Sequence, residues 1–212
     1  MTTKLPVFFQ GVGTTVELAL CTAIFGTLLG IVVALLRMSR VKLLKVLAGA
    51  YIEFVRGTPL LVQVLIVFYG LPQMGVKLPR MTAGTVALVI NSAAYMAEIV
   101  RSGIQAIDGG QTEASRSLGM NGAQTMIYII LPQAIKNILP AIGNEFVSII
   151  KESSILYTIG IYELTYQANK LASTNFRYLE TLTISALIYF VLTFTASRLL
   201  GMLERRMRRG DR

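Results

Sequence analysis

Residues 113–132 read Glu113-Ala114-Ser115-Arg116-Ser117-Leu118-Gly119-Met120-Asn121-Gly122-Ala123-Gln124-Thr125-Met126-Ile127-Tyr128-Ile129-Ile130-Leu131-Pro132. This polar, glycine-broken stretch lies between hydrophobic segments long enough to cross a bilayer, so a short helix is expected at a membrane face. Thr112 can cap a helix beginning at Glu113, whose carboxylate is favoured at the positive end of the helix dipole. Gly119 offers the left-handed position that ends such a helix. Leu118 and Met120 would then be exposed apolar side chains unless something covers them. Any tight helical turn at a membrane face would use the same residue types, so the surroundings must decide what this one does.

Those surroundings are apolar. Of 212 residues, 54% are hydrophobic and only 15% charged, and the mean hydropathy is +0.62. That composition excludes a soluble domain of this length and predicts an all-α, polytopic membrane protein. One cysteine, Cys21, allows no disulfide framework and no cysteine metal site. With no histidine, the chain lacks the usual general base and the commonest metal ligand, so neither a catalytic nor a metal site is expected. A net charge of +9 could suggest nucleic acid, but the cations cluster beside apolar spans, which points to membrane topology instead.

Five spans of roughly 20 residues are expected: Thr15–Leu36, Pro59–Leu71, Ala83–Ile104, Ile138–Ile161 and Leu182–Met202. The second is short and is expected to extend back toward Phe54. The N-terminal region lacks the short apolar core and cleavage site of a signal peptide, so the first span is expected to be kept. Arg37, Arg40, Lys42 and Lys45 follow span one, and Arg205, Arg206, Arg208, Arg209 and Arg212 follow span five. Lys4, Lys77, Arg80, Lys170 and Arg177 are spread more thinly on the other side. The dense clusters mark the cytoplasm, which puts the N-terminus outside, the C-terminus inside and the segment holding Glu113 on the cytoplasmic side. Between spans one and two, Leu43, Leu44, Val46, Leu47, Tyr51 and Phe54 alternate with Lys42, Lys45 and Glu53 at near-helical spacing. That pattern predicts an amphipathic helix lying on the inner leaflet.

The spacing within residues 113–132 resembles the EAA loop of the membrane subunits of bacterial ATP-binding cassette (ABC) importers. Glu113-Ala114-Ser115, Gly119, Ile129 and Leu131-Pro132 fall at the matching positions, with Ser115 replacing the usual second alanine. Arg56-Gly57-Thr58-Pro59-Leu60-Leu61-Val62-Gln63 is similar to a hallmark of the polar amino acid branch of these permeases. So are Ala94-Tyr95-Met96-Ala97-Glu98-Ile99-Val100-Arg101 and Leu139-Pro140-Ala141-Ile142-Gly143-Asn144-Glu145-Phe146. The likeness runs from Gly11 to the basic C-terminal cluster and is to the histidine/arginine/glutamine-type permeases. It implies a type I importer permease architecture: one transmembrane domain over residues 1–212, with a cytoplasmic coupling loop at 106–132. Glu113, Ala114, Ser115, Leu118, Gly119 and Met120 would dock into an ATPase subunit. The implied partners are ABC ATPase subunits, a second identical or similar permease, an external amino-acid-binding protein and the lipid bilayer of the bacterial cytoplasmic membrane. ATP and magnesium would belong to the ATPase partner and no cofactor to this chain, which carries no GxxxxGK[ST] segment.

The substrate path is less determined. In span three Asn91, Tyr95, Glu98 and Ser102 share a helical face, and Arg101 can pair with Glu98 three residues before it. An unpaired polar group in lipid costs several kcal/mol, so this stripe must face protein or water. It is either glue between helices, favoured for Glu98 and Arg101, or part of a translocation wall. Asn91 and Tyr95 fit both readings, and Gln63 is a further candidate for the wall. Span four carries Lys151-Glu152-Ser153-Ser154 near mid-membrane. Neighbours on a helix point about 100° apart, so Lys151 and Glu152 cannot face each other well. Each needs a separate partner, a water-filled cavity or a local break in the helix. Intramembrane charge of this kind either binds a zwitterionic amino acid or ties the span to a neighbour. A self-sufficient secondary transporter or channel is the alternative function. It would require inverted internal repeats, and an odd number of spans offers no such symmetry.

Overall fold

A computed structural model describes residues 5–208, the side chains of residues 5, 207 and 208 excepted. Lys4, Arg209 and Arg212, which contribute to the expected charge asymmetry, lie outside the described residues. Helices dominate, and no strand occurs among the described residues. Helix α1 spans Leu5–Arg37, α2 Lys42–Arg56, α3 Leu60–Leu65 and α4 Leu71–Gln73, with a π-helical stretch Ile66–Gly70 joining the last two. Next come α5 (Arg80–Gln105), α6 (Gly109–Ser117) and α7 (Gly122–Gln124). A second π-helical stretch, Thr125–Ile130, leads into α8 (Leu131–Glu152), which tightens into a 3-10 helix over Ser153–Ile159. Helices α9 (Leu164–Asn175) and α10 (Tyr178–Arg208) complete the chain.

Among the described residues, four helices are long and apolar enough to cross a membrane: Pro6–Arg37, Arg80–Gln105, Gly122–Ile159 and Tyr178–Arg206. A fifth arises if Lys42–Arg56 and Leu60–Gln73, bent by 107° at their junction, count as one span. Spans one, three and five thus sit where the hydrophobic stretches put them, with α1 starting ten residues earlier than expected. Two boundaries need correction. The second span does not continue back toward Phe54, because Pro59 cannot donate a helical hydrogen bond and its predecessor avoids the α region, so the chain turns there. The fourth helical run starts at Gly122 rather than Ile138, since nothing in the polar turns before Ile138 breaks the helix.

The core is built on α1 and α5. Gly26 and Gly30 let the two backbones close together: a Cβ on Gly26 would lie 2.8 Å from Ser92 Oγ, and one on Gly30 would lie 2.5 Å from Met96 Cβ. Small residues at helix crossings are the usual means of packing helices in lipid, where no hydrophobic effect draws helices together. At the end that leads into α6, Val33 and Ala34 pack with Ala48 and Ile52 of α2, Ala97 and Val100 of α5, and Ala134 and Ile138 of α8. At the opposite end, Leu18 meets Val64 of α3, Ala87 and Leu88 of α5, and Leu156 and Ile159 of the 3-10 helix. Helix α2 buries Ala48, Gly49, Ile52 and Val55, while Leu43, Val46, Leu47 and Phe54 remain exposed. Tyr51, expected on the membrane-facing side, instead donates its hydroxyl to the Ile90 carbonyl at 2.6 Å.

Candidate coupling loop and transmembrane polar site

Helix α6 starts at Gly109, earlier than the polar pattern suggests. Its cap is Asp108, whose Oδ1 accepts from the Gly110 amide at 2.7 Å. Thr112 is therefore an interior residue rather than the cap, and Glu113 stands past the first turn, so neither end effect expected for them operates. An acidic cap was already available in Asp108, and it won. The other end matches expectation: Gly119 adopts φ 85°. The Gly119 amide donates to Arg116 O at 3.0 Å and the Met120 amide to Ser115 O at 3.1 Å, the paired closure of a Schellman motif. A new capping box follows, with the Gln124 amide donating to Asn121 Oδ1 at 2.9 Å and the Asn121 amide to Gln124 Oε1 at 2.8 Å.

Glu113, Ala114 and Gly119 are exposed, Leu118 is 84% exposed and Met120 half-buried. Ser115, the departure from the usual alanine, is buried. Its hydroxyl lies 2.9 Å from Thr112 O and 3.0 Å from Thr125 Oγ1, so it bonds α6 to the π-helical stretch behind it. Ile127 and Tyr128 of that stretch, not singled out from the sequence, are also exposed apolar side chains. Their π-helical turn shifts the apolar register, so α-helical spacing gave no signal for this.

In the membrane region, Gln63 and Asn91 are brought together. Asn91 Nδ2 donates to Gln63 Oε1 at 3.0 Å, and Gln63 Nε2 donates to Val55 O at 2.8 Å, Thr58 O at 3.1 Å and Thr58 Oγ1 at 2.9 Å. Both are buried, so the pair fastens the bend between α2 and α3 to α5. Their polar groups are used within the chain. Tyr95 is half-buried, with the Arg56 guanidinium 5.4 Å from its ring centroid. Glu98 and Arg101 form the expected pair, Arg101 Nε donating to Glu98 Oε2 at 2.9 Å.

Helix α8 gives way to a 3-10 helix right after Glu152. A local break was one of the three accommodations open to the two adjacent charges, and tightened or loosened turns of this sort often mark functional hinges. Ser153 is fully buried and donates to Ile150 O at 2.8 Å, which leaves it no free surface. Glu152 and Ser154 are half-buried and Lys151 is exposed, and Lys151 makes no ion pair among the described residues. Glu145, half-buried and seven residues before Glu152, lies on the same stripe of α8. That spacing was legible, yet Glu145 was read only as part of a motif. Gly160, at φ 73°, ends the 3-10 helix, and its carbonyl accepts from Arg80 Nη1 at 3.0 Å. Beyond the break, Tyr157 and Thr158 share an open cavity of about 560 Å³ with Tyr166, Asn169 and Lys170 of α9.

A further polar node escaped the sequence reading. Glu163 is fully buried and caps α9, accepting from the Thr165 amide at 2.8 Å, the Tyr166 amide at 2.7 Å and the Tyr189 hydroxyl at 2.7 Å. Burial pushes its carboxyl above the usual carboxylate range, and the bonds from Tyr189, Thr165 and Tyr166 oppose that push. It ties α9 to α10.

A helical bundle of this form, with a capped helix projecting from one end, defines a membrane-embedded transport subunit. Residues 26–209 match the family described as "Binding-protein-dependent transport system inner membrane component", and the chain belongs to it. It is 40% identical over 209 residues to the "Arginine transport system permease protein ArtQ" of Bacillus subtilis (strain 168), covering 98% of this chain and 95% of that one. The "Probable amino-acid permease protein YxeN" of the same organism is 40% identical over 210 residues, covering 98% and 94%. A solved amino acid ABC transporter "with histidines" superposes with a TM-score of 0.94 at 52% identity, over 97% of this chain and 96% of that one. The MetNI methionine ABC transporter in an inward-facing form shares the fold, with a TM-score of 0.81 at 17% identity over 98% and 99%. The chain is therefore a multi-pass permease subunit of an ABC importer, which decides against a self-sufficient secondary transporter or channel.

Proposed function

We propose that this subunit carries a polar or charged amino acid into the cytoplasm, driven by ATP that a separate ATPase subunit hydrolyses with magnesium. The observation that carries the reading is the half-buried acidic stripe Glu145–Glu152, which ends where α8 breaks. A carboxylate at that depth is costly unless it meets protein charge, water or ligand, and an ammonium or guanidinium group of an amino acid would meet it. Relatives named for arginine and glutamine support that substrate class. The N-terminus lies outside and the C-terminus in the cytoplasm of the bacterial inner membrane, which sets residues 106–132 where the ATPase can reach them. Leu118, Gly119 and the neighbouring exposed apolar residues form the docking surface, with Glu113 and Ala114 on the same helix. A second permease, identical or similar, completes the pathway, and an external binding protein delivers substrate at the end carrying α9.

Closing of the ATPase dimer would draw two α6 helices together and tilt the attached α8 helices, opening the bundle outward. Reconstitution of the co-expressed subunits with the binding protein in ATP-loaded vesicles tests this. Uptake of labelled arginine, glutamine or histidine should require both ATP and the ATPase subunit. Uptake without the ATPase, or none of any amino acid by the fully assembled system, overturns the reading.

A further inference from the structure

Helix α8 exposes polar side chains where a membrane helix can least keep them. Asn137, Asn144 and Lys151 are exposed and lie within the run Gly122–Ile159, which is long enough to cross a membrane. They recur every seven residues, so they share one face of the helix over about four turns. The Asn137 and Asn144 side chains have no hydrogen-bond partner among the described residues, and Lys151 has no ion pair there. Lipid cannot cover such a face, because hydrocarbon neither donates nor accepts a hydrogen bond. Water or protein must meet it.

The second observation separates those two. Half-buried Pro140 and Val147 follow Asn137 and Asn144 by three residues on the same seam, so polar and apolar side chains alternate with the three-and-four spacing of a coiled-coil contact. A face that met only water would have no use for that alternation. Pro140, Asn144 and Val147 also border a groove of about 240 Å³ between α8 and α10, whose lining includes the small residues Gly143, Ser197 and Gly201. A Cβ on Gly201 would meet nothing within 4 Å, and small residues of this kind let a further helix come close in lipid.

The chemistry of the seam selects its partner. Two copies of one chain, inserted alike, meet about a two-fold axis along the membrane normal, so α8 runs parallel to α8 and each residue at the axis faces itself. Asparagine suits that position, since its amide both donates and accepts, and an asparagine on such a seam fixes register and the number of strands. The acidic stripe beside the seam offers a counter-charge to Lys151 of the other copy. We propose that this face of α8 is the contact with a second, identical copy of this chain, Asn137 meeting Asn137 and Asn144 meeting Asn144. The contact rests on the reading above that two permeases complete the pathway. It adds which face joins them and that the two are the same, and it sets the two acidic stripes on either side of the axis.

The test is disulfide crosslinking in membranes that hold the chain with its ATPase subunit. Cys21→Ala supplies a cysteine-free background, into which Asn137→Cys, Asn144→Cys or Leu187→Cys is placed, the last on an exposed apolar position of α10. Under a mild oxidant Asn137→Cys and Asn144→Cys should run mainly as a disulfide-linked pair of this chain, and Leu187→Cys should not. No crosslink at 137 and 144 would mean that the face meets water alone, and a crosslink at 187 only would put the contact on α10. Either result overturns the proposal, as does equal crosslinking at all three positions, which marks random encounter. Two copies bearing different tags should also co-purify, and failure to do so means that the partner is a different chain. Asn144→Leu, which a lipid-facing helix would tolerate, should weaken self-association of the complex in neutral detergent about tenfold, the scale of one polar contact between membrane helices, and unchanged association counts against the contact. If one cysteine variant fails to assemble, the other and the tag experiment still decide. Uptake by the Cys21→Ala complex reports separately on transport: ATP-driven uptake without crosslinks at 137 and 144 removes this contact and leaves the transport reading standing.

Discussion

The α1–α5 pair and the α8 run are both helices of membrane length, yet they are built to opposite rules. Between α1 and α5, glycine and alanine bring backbones into contact, and both helices stay α-helical from end to end. The α8 run is preceded by a π-helical stretch, carries Pro140 inside and ends in a 3-10 helix. It also holds Glu145, Lys151 and Glu152, whereas the apposed faces of α1 and α5 near Gly30 are apolar and small. Close packing resists deformation, because shifting one side chain shifts its neighbours. Irregular helical turns leave alternative hydrogen-bonding partners nearby and bend at lower cost. The contrast fits the α1–α5 seam as scaffold and, under the proposed function, the α8 run as the part that would move and recognise substrate.

The harshest way to break this contrast is to overpack the seam. Gly30→Leu forces side-chain atoms into Met96 and the Ala93 carbonyl, at a cost of about 1–3 kcal/mol or more. The yield of assembled complex on size exclusion should collapse, and near-wild-type yield would mean the seam is not the scaffold. A step below lies Gly119→Val, which strains the left-handed turn by about 1–2 kcal/mol. Membrane insertion should survive while transport and substrate-stimulated ATPase activity fall, with Gly119→Asn less affected. If coupled activity is unchanged in Gly119→Val and in Glu113→Ala, the docking role fails.

Glu152→Gln should sharpen the recognition half of the contrast. Transport of a cationic amino acid, normalised to assembled complex, should drop strongly or shift toward neutral substrates, with assembly intact. Lys151→Met should lower yield rather than alter selectivity. Wild-type selectivity in Glu152→Gln would leave a structural ion-pair role with a neighbouring subunit as the better reading. The mildest change is Ser115→Ala. It removes the bond to Thr125 at a cost of about 1 kcal/mol, which should lower the melting temperature of the complex slightly and leave coupling in place. A large loss of coupled ATPase activity in Ser115→Ala would make this bond part of the transmission path.

What could be read beforehand divides along the same line. Spans one, three and five were legible because long apolar runs leave a chain few options in lipid. Gly119 was legible because a left-handed residue ending a helix is nearly always glycine. The bend before α3 was misjudged, since hydropathy alone carries through the turn at Pro59 and only the backbone does not. Ser115 looked like a departure from pattern until Thr125, ten residues on, supplied its partner. Glu163 left no local trace, because its reasons for burial, Tyr189 and the start of α9, come together only in three dimensions. The pairing of Gln63 with Asn91 was hidden likewise, and it turns two candidates for a translocation wall into a clasp.

The unbroken α-helical stretch between Leu131 and Glu152 also has a leverage consequence. Its 22 residues make a rod of about 33 Å, with α6 fastened near one end through Ser115 and the broken turn at the other. Tilting such a rod by only about 5° about its loop end carries the far end through roughly 3 Å, comparable to one hydrogen-bond length. Glu152 sits at that far end, where such a tilt displaces it most. Under the proposed function, a small advance of the docking helix would thereby be geared up into a change of substrate coordination, with no long-range unfolding needed to convey it.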